Sequence, residues 1–180
     1  MKKFVFASIC VYVLCISLNV ANALPIAISG PIENPVNGHI YYLLEQSTWI
    51  DAEAAAIGMG GHLTAINDEI ENTWVWETFG SDPDQIGLWI GYTDEDTEGN
   101  FTWTNGDTTT FTAWKSGEPN NEFGVEDYAG LWGGTWNDLP GNITMEYGAL
   151  HNMYGVVEIV PEPATMVLLT LGGLLLRRKK

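Results

Sequence analysis

Two apolar segments, one near each end of the chain, fence off a single stretch long enough to build a core. The first follows Lys2 and Lys3, runs from Phe4 to Leu18 and closes on Ala21-Asn22-Ala23. A basic start, a short apolar middle and a small-residue cleavage triplet make a secretory signal peptide, and the run is shorter than the roughly 20 residues that a spanning helix needs. The second, Ala164 to Leu176, has 13 residues and is followed by Arg177-Arg178-Lys179-Lys180. Such a helix reaches about 20 Å against a hydrocarbon core of about 30 Å, while four adjacent cations resist crossing. It reads as a transient anchor, with a permanent single-helix anchor as the alternative. Leu24 to Val160 is left, a length suited to one domain with one core.

Charge and cysteine usage narrow what that domain does. Lys115 is its one lysine or arginine, set against 22 carboxylates. A field of that sign repels nucleic acid and anionic membrane and attracts cations, so a nucleic-acid partner is not expected. Acidity for solubility alone is the competing reading. Cys10 and Cys15 both fall in the leader, which leaves the domain without a disulfide in a compartment that would permit one. Its stability then rests on packing, with eight tryptophans in the chain to supply it, and possible metal binding would add to it.

The order of elements points to an α+β domain. His39 to Leu44 reads as a strand after Asn37-Gly38. Ser47 or Thr48 opens a helix that ends near Gly58; Trp49, Ala52 and Ala56 share one of its faces, and Thr48 with Asp51 forms a capping-box variant. Asn67 or Asp68 caps a second helix that carries Ile70 and Trp74 one turn apart and stops at Gly80. Beyond Gly87 the helical period is lost. Leu88 to Tyr92, Phe101 to Trp103, Tyr128 to Leu131, Thr135 to Trp136 and Gly155 to Ile159 read as short strands separated by polar loops. Helices first and strands afterwards define the class.

One loop concentrates side-chain oxygen: Glu118-Pro119-Asn120-Asn121-Glu122, then Glu126-Asp127, then Trp136-Asn137-Asp138. Calcium takes six to eight oxygen ligands, and carboxylates and amide carbonyls both serve. Glu118, Glu126 and Asp138 with Asn120 and Asn137 would balance the ion with one negative charge to spare. The absence of cysteine and of a nearby histidine argues against zinc. An X-Pro bond accepts the cis isomer at modest cost, and a cis Glu118–Pro119 link would turn its flanking side chains toward a common point. His39, His62 and His151 have no metal-ligand spacing and read as structural. Trp114 and Trp132 are read either as core or as rings that stack on a ligand.

These residues resemble the carbohydrate-recognition domain of C-type lectins, where Glu-Pro-Asn, a Glu eight residues past the first, and Trp-Asn-Asp hold the principal calcium. Gly60-Gly61-His62-Leu63, Leu88-Trp89-Ile90-Gly91 and Val156-Val157-Glu158-Ile159 extend the resemblance over roughly Gly38 to Ile159. It implies the C-type-lectin-like fold, two helices plus antiparallel sheets with a long calcium-binding loop. It implies that Glu118, Asn120, Glu126, Asn137 and Asp138 hold both the ion and the sugar. The same alignment puts Asp94, Glu98, Asn121, Glu126 and Asp127 on an auxiliary calcium site; an ordinary acidic turn from Asp94 to Glu98 is the alternative. The Glu-Pro-Asn order resembles mannose-type members, which implies mannose, glucose, N-acetylglucosamine or fucose as ligand. The family's four framework cysteines are absent, and Ala56 with Val157, and Tyr128 with Gly141, stand in their places.

Pro161-Glu162-Pro163, the apolar stretch and the basic end resemble the PEP-CTERM sorting signal of Gram-negative exopolysaccharide producers. That resemblance implies an exosortase-like processing enzyme, transient inner-membrane anchoring and release to the periplasm, cell surface or matrix. The expected organisation is a signal peptide at 1–23, a domain at 24–160 and a tail at 161–180. The expected function is calcium-dependent carbohydrate binding in an exopolysaccharide or biofilm matrix, not catalysis. A structural or protein-binding adhesin module without sugar is the first alternative, because a fold does not fix a function. A two-carboxylate glycosidase is the second, disfavoured because groups that ligate one ion do not readily donate a proton.

Overall fold

The computed structural model of the protein describes residues 23–81, 87–141 and 153–161. The leader up to residue 22, the tail beyond residue 161 and His151 lie outside the described residues.

Eight strands and two helices form the described part, in the α+β arrangement expected. Strand β1 (Ala27–Glu33) pairs antiparallel with β2 (Ile40–Ser47). Helix α1 (Trp49–Gly58) follows, with Thr48 as its cap: Oγ1 accepts from the Asp51 amide at 3.1 Å and donates to Asp51 Oδ2 at 2.9 Å. That exchange satisfies an end-of-helix donor that would otherwise be orphaned. The face expected to be apolar is buried, with Trp49, Ala52 and Ala56 inside. After the two-residue strand β3 (His62–Leu63), α2 (Glu69–Val75) begins on Asp68, whose carboxylate accepts from the Glu71 amide at 2.9 Å. A wider π turn, Trp76–Gly80, ends it.

The remaining strands are β4 (Leu88–Thr93), β5 (Thr102–Trp103), β6 (Tyr128–Trp132), β7 (Thr135–Leu139) and β8 (Met153–Ile159). The sheet order is β1-β2-β8-β4-β6-β7, with β3 added on β8 and β5 on β4. All pairs are antiparallel except β4 with β8, where Leu88 faces Tyr154 and Trp89 faces Gly155. The closing strand thus lies centrally and ties the first hairpin to the half of the sheet that carries the polar loop.

The core has two parts. One gathers Tyr41, Ile66, Val75, Ile90, Leu131 and Val156 around the fully buried Trp136. The other packs α1 on the sheet through Leu44, Trp49, Ala52, Leu63, Trp89 and Val157. The two pairs that the resemblance sets at framework-cysteine positions both lie in packed surroundings. Ala56 and Val157 are buried in this second cluster. Tyr128 lies so close over Gly141 that a Cβ there would stand 2.4 Å from its Cε2 atom.

One local expectation is corrected, and one is refined. Strand β1 was not anticipated, since Gly30-Pro31 interrupts its pattern; proline is tolerated on an edge strand, and β1 is an edge. In α2, Ile70 and Trp74 lie one turn apart as expected but differ in surroundings: Ile70 is 61% exposed, Trp74 packs against Tyr41 and Phe79, and the buried positions are Glu71, Asn72 and Val75.

Candidate functional site

The oxygen-rich residues come from three places: the loop Glu118–Asp127, strand β7 and the turn after β4. The hinge between them is Asp138, fully buried on β7. Its carboxylate accepts from the Asn120 amide at 3.1 and 2.9 Å and from the Asn121 amide at 2.6 Å. One carboxylate therefore pins two consecutive loop amides to the sheet. The Glu118–Pro119 bond is cis. Asn120 Nδ2 donates to Glu118 Oε2, so these side chains meet across the proline. The loop then braces itself, with Asn121 Oδ1 accepting from the Glu126 amide at 3.1 Å and Glu126 Oε2 accepting from the Glu122 amide at 2.7 Å.

Glu118, Asn120, Glu126 and Asp138 are brought together in this way. Asn137 follows one position before Asp138 on β7, with its Oδ1 buried and without a hydrogen-bond partner. At the neighbouring turn the Asp94 amide donates to the Asp127 carbonyl at 3.1 Å. Asp94 Oδ2 accepts from the Gly99 amide at 2.8 Å, while its buried Oδ1 has no partner. Glu98 is exposed, and among the described residues no hydrogen bond ties its side chain to the others.

Comparison with known proteins bears on this arrangement. The model for the lectin C-type domain matches residues 45–146, and that for the PEP-CTERM protein-sorting motif matches residues 160–180. The chain belongs to the C-type lectin domain family. A C-type lectin from Micrurus corallinus is 31% identical over 151 residues, which cover 78% of this chain and 92% of that one. Lectin BRA-3 from Megabalanus rosa is 37% identical over 57% of this chain, which spans only 64% of the relative's length. Among solved structures, the cow C-type carbohydrate-recognition domain of CD23, determined in the presence of GlcNAc2Man3 oligosaccharide, superposes with a TM-score of 0.59. It is 26% identical, with 69% of this chain and 89% of that one covered. This is a family of non-catalytic binding domains, which sets the glycosidase alternative aside.

Within this C-type lectin domain, the electrostatics of the loop mark it as short of positive charge. Burial, then Asp138, Glu122 and Glu118, pushes the Glu126 carboxyl up to about 7 from an ordinary 4.5. Burial and Asp138 likewise raise Glu118, and burial with Asp94 and Glu95 raises Asp127. Carboxylates crowded in this way resist ionising together unless a cation joins them. Two orphaned buried oxygens and an all-oxygen donor set fit a hard divalent ion such as calcium.

A pH dependence follows. With Glu126 titrating near 7 in the folded domain and near 4.5 in the unfolded chain, the folded state keeps a proton that the unfolded state has released. This contribution to stability is greatest below about 4.5 and is lost as pH rises through about 7. In chelator, the urea midpoint is expected to fall on going from pH 5 to pH 8, and Glu126→Gln should flatten much of that slope. An unchanged slope in the variant would show that Glu126 ionises normally.

The histidine reading needs one addition. Ligand atoms of His39, Glu71 and Glu158 lie within 4.8 Å of one another, a grouping from distant parts of the chain that no spacing announces. Their oxygens are already engaged. Glu158 Oε1 meets His39 Nδ1 at 2.5 Å and the Tyr41 hydroxyl at 3.1 Å, and its Oε2 accepts from the Ala65 amide at 3.0 Å. Glu71 Oε1 accepts from Tyr41 at 2.5 Å, and its Oε2 accepts from the Asn67 amide at 2.8 Å. The network clasps β2, α2 and β8, a structural role consistent with the sequence reading of His39. Sequence reasoning placed Glu122 in the loop and Glu95 in the acidic turn without giving either a role, whereas their charges act on Glu126 and Asp127.

Proposed function

We propose that the domain at 24–160 is a calcium-dependent carbohydrate-binding module of mannose-type preference. The observation that carries the reading is the crowding of Glu118, Glu126 and Asp138, which leaves carboxylates in need of a cation. Glu118, Asn120, Glu126, Asn137 and Asp138 would hold the principal ion; Asp94, Glu98, Asn121 and Asp127 would contribute to an auxiliary one. When bound, the ion supplies a positive centre for two neighbouring hydroxyls of a pyranose. The chain's own part is to orient them: carboxylates such as Glu118 accept from the hydroxyls, and amides such as Asn120 and Asn137 donate to them. The Glu-Pro-Asn order favours equatorial hydroxyl pairs, as in mannose, glucose, N-acetylglucosamine or fucose. The oligosaccharide in the cow CD23 structure agrees with this class. A single sugar held at the ion by two hydroxyls is expected to bind weakly, so retention depends on multivalency.

The sorting motif supports export, cleavage by an exosortase-like enzyme after transient inner-membrane anchoring, and a final place at the surface or in an exopolysaccharide matrix. Among the described residues no helix is long and apolar enough to cross a membrane; the tail's apolar stretch lies outside them. A glycan array run with calcium and again with chelator tests the function. Binding to mannose-type glycans should require calcium and should vanish in Asn120→Ala, whose exposed side chain leaves the core untouched. Calcium-independent retention, or an Asn120→Ala protein that still binds, would favour the adhesin reading instead.

A further inference from the structure

A groove of roughly 420 Å³ is lined by Lys115, Trp132, Thr135, Trp136 and Asn137, the last of these a proposed ligand of the ion. Its parts are held firmly. Strands β6 and β7 are joined by Gly133-Gly134, both at positive φ (59° and 85°), the backbone of a two-residue hairpin turn. The turn sets Trp132 directly across from Thr135, whose hydroxyl donates to the Trp132 carbonyl at 3.1 Å. Lys115 is fixed through its backbone, its amide donating to the Trp136 carbonyl at 2.9 Å. The groove therefore shares Asn137 of β7 with the proposed ion site.

Two features stand out chemically. Trp132 is 45% exposed, whereas Trp136 on β7 is fully buried. An indole left half in water at the lip of a binding loop offers a flat apolar face to the C–H side of a sugar ring. Lys115 is the one lysine or arginine between Leu24 and Val160. It is exposed, and among the described residues no carboxylate lies in ion-pair contact with its ammonium. In a domain that otherwise repels anions, the single cation stands where a ligand would extend past the ion site.

We infer that this groove is a second subsite, which takes an acidic sugar residue of the hexuronate class linked to the sugar on the ion. The ring stacks on Trp132 and its carboxylate accepts from Lys115. The inference rests on the proposed sugar site and names the substrate class of its extension. An exposed ion pair contributes modestly, so a preference of about fivefold over a neutral counterpart is expected.

The test uses the purified full chain with calcium and three competitors: methyl mannoside, a glucuronosyl-mannose disaccharide and the matching glucosyl-mannose. The acidic disaccharide should bind about fivefold tighter than the neutral one, and the gap should shrink at high salt as the pair is screened. Lys115→Gln should remove the gap and leave methyl mannoside unchanged, while Lys115→Arg restores it. Trp132→Ala should weaken both disaccharides and spare the monosaccharide. Equal affinity for the two disaccharides, with methyl mannoside still bound, overturns the subsite alone. So does a Lys115→Gln variant that weakens all three ligands alike, because the lysine would then act only through its charge on Glu118. Failure to bind even methyl mannoside overturns the sugar site and the subsite with it.

Discussion

Asp138→Ala is expected to abolish the calcium-dependent rise in melting temperature and to loosen the loop even without calcium. In the native protein, ion at a hundredfold excess over its dissociation constant adds about 2.7 kcal/mol, which corresponds to roughly 10 °C for a domain of this size. Asp138 is buried and accepts from two loop amides as well as facing Glu118 and Glu126. Its removal takes away a proposed ligand and the support for Asn120 at one stroke, so a loss of about a hundredfold or more in ion affinity is expected. The stranded amides add a cost of about 1–3 kcal/mol in the ion-free state. Scanning calorimetry of both proteins with calcium and with chelator measures the two effects together. A variant that keeps the calcium-dependent rise would remove Asp138 from the ion's ligands.

Trp136→Ala is expected to be more damaging to the fold. The indole is fully buried among Tyr92, Trp103, Phe111 and Trp114, with ring centroids 5.7 to 5.8 Å away. Its Nε1 donates to Asn72 Oδ1 at 2.8 Å, and Asn72 Nδ2 in turn donates to the Gly134 carbonyl at 2.8 Å. Truncation opens a cavity worth about 3–5 kcal/mol and leaves the buried Asn72 oxygen unpaired. A domain of ordinary stability has about 5–15 kcal/mol to lose, so the variant should be largely unfolded or melt tens of degrees lower. Trp136→Phe keeps a ring and loses only the N–H, and should retain much of the stability. Urea denaturation separates the cases; equal midpoints for the native and alanine proteins would contradict the packing described.

What could be read from the sequence was what local rules govern. Thr48 and Asp68 act as caps because their oxygens reach amides three residues on, a constraint visible in spacing alone. Trp49, Ala52 and Ala56 announce their face by helical period. The loop was legible because its oxygen donors cluster along the chain, and Glu118 with Asn120 does meet across a cis proline. What escaped depends on partners far away in sequence. Glu71 and Asn72 face inward because Tyr41 and Trp136 satisfy them, and an apolar pattern cannot foresee a buried polar pair. Likewise Thr135 to Trp136 understated β7, whose polar Asn137 and Asp138 are held in the sheet by β6. The groove at Trp132 exists only once Lys115 is laid against β7, an association that no spacing encodes.

Tyr128 packs over Gly141, Ala56 and Val157 share the second core cluster, and the stretch from Leu24 to Val160 contains no cysteine. Maturation of this domain consequently depends on no thiol oxidase or disulfide isomerase, and glutathione or peroxide has no cystine or free thiol there to attack. The domain can therefore fold under reducing or oxidising conditions with no change in its own sulfur chemistry.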